Sequence, residues 1–99
     1  MEVHFEISIV CMDESCNNST SYIDIDRCDT VAEAIKTAKK TEQYLKSGKY
    51  DYCLPGVKYV YVTALPHDEE MQCLVGLAWS YDSNYYARKG TRWETKKAN

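Results

Sequence analysis

The sequence predicts an α+β fold: an antiparallel sheet of four to five strands with one helix packed on one face, in the order β-β-α-β-β(-β). Three observations predict it. Apolar and polar residues alternate along the N-terminal segment and along KYVYVTAL (58–65), the period of a half-buried strand. Between them, over TVAEAIKTAKKTEQYLKS, the period lengthens to that of a helix. One helix stripe and one sheet face bury each other most simply when stacked. The 99 residues have room for one core, so 1–99 reads as a single domain, with 95–99 as a frayed tail.

Taken in order, Val3, Phe5, Ile7, Ile9 and Cys11 form the inner face of a first strand, half-buried, with His4, Glu6, Ser8 and Val10 outside. MDESCNNS is rich in turn formers and predicts a loop. In TSYIDIDRC, Ile23 and Ile25 face in and Tyr22, Asp24 and Asp26 face out, which completes an antiparallel hairpin. Thr30 and Glu33 have capping-box spacing, so the helix is expected from Val31 to Ser47, with Gly48 ending it. Its stripe is Val31, Ala34, Ile35, Ala38 and Leu45, interrupted at Thr41 or Glu42.

KYDYCLPG predicts a linker with a turn at Pro55-Gly56. In KYVYVTAL, Val60 and Val62 are the better candidates for the helix side, which leaves Tyr59 and Tyr61 on the other. LPHDEEM predicts a polar loop and QCLVGLAWSY a fourth strand, apolar on both sides. If Gly76 and Ala78 face the helix, Val75, Leu77 and Trp79 turn outward; the reverse parity is equally compatible with the pattern. Short strands are expected near Tyr85–Arg88 and Thr91–Glu94.

Charge is distributed in blocks: −6 over residues 1–29, +3 over 30–58, −4 over 59–84 and +4 over 85–99, for a net −3. Such blocks bear on partners and steering rather than on fold. Nine tyrosines stand against one phenylalanine and two tryptophans, and tyrosine suits half-buried and interface positions. MEVHFEISIV is charged and alternating, unlike a signal peptide, and no apolar run is long enough to span a bilayer. Five cysteines, with no C-x-x-C pair, fit buried thiols in a reduced, cytoplasmic setting.

The chemistry-bearing motifs are few. Cys11, Cys16 and Cys28 with His4 match no zinc-module spacing, and no metal or cofactor is expected. Pro66-His67-Asp68-Glu69-Glu70 gathers ligand-type residues but without a cation-loop spacing. Cys53 and His67 form no nucleophile motif, and neither a G-x-S-x-G, an H-E-x-x-H nor a phosphate-cradling loop is present, so no enzyme is expected. The pattern instead predicts a protein-binding surface of Tyr22, Tyr59, Tyr61 and Trp79 rimmed by Glu6, Asp24 and Asp26. Its acids would steer a basic partner such as a nucleic-acid-binding protein, or the face would close on itself in a homodimer. An alternative is a nucleic-acid-binding module with sheet-face aromatics for bases and Arg88, Lys89, Arg92, Lys96 and Lys97 for phosphates. The acids of the same face oppose that alternative. An antitoxin-like partner subunit is a third reading.

The helix TVAEAIKTAKK followed by GLAWSYDS and ARKGTRWET resembles, in order of elements over residues 30–94, the helix, aromatic strand and Lys/Arg-Trp strand of small type I-F anti-CRISPR proteins. That resemblance implies a phage-encoded, non-enzymatic inhibitor acting in the host cytoplasm. It would bind a Cas protein or complex and block the nucleic-acid-binding site by occupying it.

Overall fold

The structure, a computed structural model, describes residues 3–12, 21–68, 73–74 and 79–96. The first strand, β1 (Val3–Cys11), pairs on one edge with β2 (Ser21–Cys28) and on the other with β3 (Tyr59–Asp68), antiparallel in both cases. β3 carries on its second edge β4 (Cys73–Leu74), β5 (Tyr81–Asp82) and β6 (Tyr85–Lys89), and β7 (Arg92–Lys96) pairs with β6. The main order across the sheet is β2-β1-β3-β6-β7. One helix, α1 (Val31–Lys46), covers one face, so the predicted α+β class and element order hold.

Helix start and stop follow from local chemistry. The Thr30 hydroxyl accepts from the Glu33 amide at 3.1 Å, and Gly48 ends the helix in the left-handed region at φ 84°. The expected stripe holds at Ala34, Ala38 and Leu45 and runs on through the buried Thr41, while Ile35 is half-buried and Val31 is exposed at the helix end. Small side chains there let the helix lie close to the sheet. The Thr41 hydroxyl donates to the Thr37 carbonyl at 2.8 Å, which satisfies it inside the core. Against this stripe pack Phe5, Ile7 and Ile9 of β1 and Val60, Val62 and Ala64 of β3.

Glu42, beside the stripe, has two donors waiting for it. Tyr86 donates its hydroxyl to Glu42 Oε1 at 2.6 Å and Tyr81 donates to Oε2 at 2.9 Å. One carboxylate on the helix thus fastens two strands. Burial first, then the hydrogen bond to Glu42 and its negative charge, push the Tyr81 hydroxyl up to about 12 and raise that of Tyr86 as well.

Several expectations are corrected. β1 is buried on both faces, because Val10 lies between Tyr22 of β2 and Tyr61 of β3, while Ser8 lies opposite Asp24 and Thr63. LPHDEEM does not begin a loop at Leu65: β3 runs on to Asp68 because β1 offers it a partner as far as Val3. Pro66 is tolerated there because, among the described residues, the second edge of β3 has ladder partners at Ala64 and His67 but none at Pro66. The expected fourth strand is not one ladder. Leu74 faces His67 and Tyr81 faces Ala64, so the two pieces are seven residues apart in sequence but three apart on β3. Val75, Gly76, Leu77 and Ala78 lie outside the described residues. The last strand reaches Lys96, so Thr95 and Lys96 are not tail; 97–99, with Lys97, lie outside the described residues.

Candidate functional site

The sheet face away from the helix, here the far face, is built by the residues alternate to the core. β1 gives it His4, Glu6, Ser8 and Val10; β3 gives Tyr59, Tyr61, Thr63, Leu65 and His67. Tyr59 and Tyr61 therefore stand opposite Val60 and Val62, which are fully buried under the helix. Tyr22 and Asp24 join from β2, and Tyr85 from β6.

Tyrosines occupy its middle. Tyr22 and Tyr61 flank Val10, and the Tyr61 and Tyr85 rings are 5.2 Å apart. Burial, then the neighbouring Tyr22, Asp82 and Tyr85, raise the Tyr61 hydroxyl. The outer two rings remain open to solvent: Tyr22 is 53% exposed and Tyr85 41%. On the basic side Lys96 Nζ stands 4.2 Å from the Tyr59 ring centroid.

Beside the tyrosines lies a cleft of about 380 Å³, lined by Glu6, Ser8, Tyr22, Asp24, Leu65 and His67. Glu6 Oε2 is 3.1 Å from His67 Nε2 and Oε1 is 3.3 Å from His4 Nε2; the two imidazoles stack with centroids 5.7 Å apart. With Nε2 protonated, each ring donates to one carboxylate oxygen, which holds Glu6 in place. Asp24 Oδ1 accepts from the Ser8 hydroxyl at 3.1 Å, and Asp82 Oδ1 accepts from Thr63 at 2.7 Å. Fixed carboxylates beside tyrosine rings can receive a planar cation, by charge-assisted hydrogen bonds and by stacking. Sequence reasoning misses both the cross-strand histidine pair and Tyr85. A β1–β3 register would have aligned His4 with His67.

Two residues expected on this face are not there. β1 and β2 are joined through a bulge: Ser8 faces Asp24 and Ile7 faces Asp26, so Ile25 is the extra residue. The bulge reverses the parity of β2, which turns Asp26 to the helix side and puts Arg27 opposite Glu6. Trp79 belongs to the core side as well. Its ring meets Phe5 edge to face at 5.1 Å, because β5 begins two residues later with Tyr81 directed at the helix.

The basic set is not brought together as one patch either. Arg88 turns to the helix side, where Nε donates to the Val57 carbonyl at 2.9 Å and Nη2 to the Leu54 carbonyl at 2.7 Å. Its guanidinium lies 4.4 Å from the Trp93 ring centroid, and Trp93 Nε1 donates to Asp51 at 2.9 Å. Lys89, Arg92 and Lys96 are exposed on the far face, with Lys89 4.0 Å from Glu94.

The candidate zinc residues are also apart. Cys11 and Cys28 are buried on the helix side while His4 is on the far face, and Cys16 lies outside the described residues. No group of three His, Cys, Asp or Glu among the described residues is placed to hold a metal ion. Cys53 donates to the Tyr50 carbonyl at 3.1 Å on the helix side, across the sheet from His67. No helix among the described residues is long and apolar enough to cross a membrane. No protein-family model, curated protein or solved structure matches this chain.

Proposed function

We propose that this chain acts by binding, without catalysis: its far face docks on a basic surface of a protein partner, of the kind that otherwise holds nucleic acid, and obstructs it. The observation that carries this reading is the group Tyr22, Tyr61 and Tyr85, open to solvent at its outer two rings, beside the fixed carboxylates of Glu6, Asp24 and Asp82. Aromatic rings supply apolar contact with little rotamer entropy to lose, and carboxylates already held by hydrogen bonds need little further ordering to meet arginine or lysine. The order of elements shared with small anti-CRISPR proteins supports a phage-type inhibitor of a nucleic-acid-guided defence complex as the class. Cys28 and Cys53 are free thiols, which suits a cytoplasmic site of action.

The test is capture of a partner from nuclease-treated bacterial lysate on the immobilised chain, followed by affinity measurements with the purified partner. Tyr22→Ala and Tyr85→Ala are each expected to weaken binding at least tenfold, the loss of a hot-spot side chain, while the thermal midpoint stays within a few degrees. Recovery of nucleic acid alone from untreated lysate, with both variants binding it unchanged, overturns the reading in favour of a nucleic-acid module.

A further inference from the structure

The far face is polarised. Glu6, Asp24 and Asp82 lie around Ser8 and Thr63; Lys89, Arg92 and Lys96 lie on the β6–β7 hairpin, which joins β3 at Tyr59 and Val60. Each half holds one charge of the other sign: Arg27 opposite Glu6, and Glu94 beside Lys89. Four strand spacings separate Asp24 on β2 from Lys96 on β7, roughly 20 Å at about 4.8 Å each and beyond the ~8 Å screening length at physiological salt, so these two charges do not neutralise each other within one chain. Asp82 lies nearer the basic hairpin, three residues before Tyr85, which pairs with Lys96.

We propose that two copies of this chain pair through their far faces about a two-fold axis. A two-fold places each off-axis patch of one copy over a different patch of the other, and then back again, while residues on the axis meet their own counterparts. An axis through the tyrosine middle, near Tyr61 and Tyr85, lays each acidic half over the partner copy's basic half. The rings meet at the centre, where water is best excluded, and the charges ring them. Two sheets stacked in this way have a natural spacing of about 10 Å. The face, roughly 20 Å by 30 Å from strand spacing and rise, is of the order of the ~800 Å² that a stable pairing buries on each side.

This pairing rests on the same face as the proposed function, so a second copy and the basic partner compete for it. The dimer would keep the tyrosines covered until a partner with more positive charge displaces one copy.

Sedimentation equilibrium of the full chain tests it. A concentration-dependent dimer is expected, weakened at least tenfold by raising salt from low to high ionic strength. Asp24→Lys and Lys96→Glu, alone, are each expected to weaken the dimer at least tenfold, because each places like charges together twice. Mixed in equal amounts they are expected to form a heterodimer close to the original affinity. In that mixture the lysine introduced in one copy meets the glutamate introduced in the other, and the remaining Asp24 meets the remaining Lys96. Circular dichroism checks folding; if either variant is unfolded, the salt dependence together with Arg92→Glu, which is expected to weaken the dimer in the same way, carries the decision. A monomer at all concentrations, or a dimer indifferent to salt and to both reversals, overturns the proposal. Neither result touches partner capture by dilute chain, so failure here and failure of the proposed function are read separately.

Discussion

Glu42→Ala is expected to cost about 3 kcal/mol of folding stability in denaturant unfolding. The carboxylate accepts from Tyr81 and Tyr86, and each hydrogen bond to a charged group contributes about 1.5–3 kcal/mol. Truncation also leaves the buried Tyr86 hydroxyl without its acceptor, which adds a desolvation cost. Glu42→Gln keeps one acceptor oxygen for two donors and is expected to cost roughly half as much. The same fastening makes the fold sensitive to alkali. Both tyrosines have folded values above the ordinary 10.0, so their contribution is complete below pH 10; that of Tyr81 is lost as pH rises through about 12, and that of Tyr86, raised further, at still higher pH. Tyrosinate absorbance followed beside circular dichroism is expected to show loss of structure in that window, moved to lower pH by Glu42→Ala. Titration of all tyrosines near pH 10 with the fold intact would contradict the assignment.

Arg88→Ala is expected to cost about 2 kcal/mol and to leave the far face unaltered. The guanidinium donates to the Val57 and Leu54 carbonyls of the linker and stacks on Trp93; its removal takes that donor from Val57 and leaves Leu54 with the Val57 amide alone. Arg88→Lys should recover only part, since an ammonium cannot reproduce the planar fork. Thermal unfolding reads the loss. A stable Arg88→Ala protein that has lost an affinity for nucleic acid would instead place Arg88 on a phosphate-binding surface.

Much of the fold is legible because local signals agree with one another. The alternation of β1, the Thr30–Glu33 spacing and Gly48 each point the same way as the final packing. So does KYVYVTAL, where valines in one parity had only the helix to lie under. What escapes depends on geometry that residue types do not mark. The bulge at Ile25 carries no glycine or proline, yet it moves Asp26 to the other side of the sheet. Trp79 shares the parity of Tyr81, but a strand segment apolar in both parities does not mark which one lies under the helix, and only its contact with Phe5 decides it. Arg88 has the composition of a surface cation, and the carbonyls that hold it belong to a linker more than 30 positions away. Glu42 does leave a trace: an acid beside a buried helix stripe asks for donors, and two tyrosines in the last third of the chain could provide them.

The central claim is that the far face is the surface on which a partner lands. Hydroxyl-radical footprinting of the captured complex, compared with the dilute free chain, measures that directly, because exposed tyrosines stand on both sides of the sheet. Tyr22 and Tyr85 mark the far face, and Tyr52, 81% exposed in the linker, marks the helix side. The account predicts that Tyr22 and Tyr85 lose most of their reactivity in the complex while Tyr52 keeps its own. Protection of Tyr52 with Tyr22 and Tyr85 still fully reactive would contradict it.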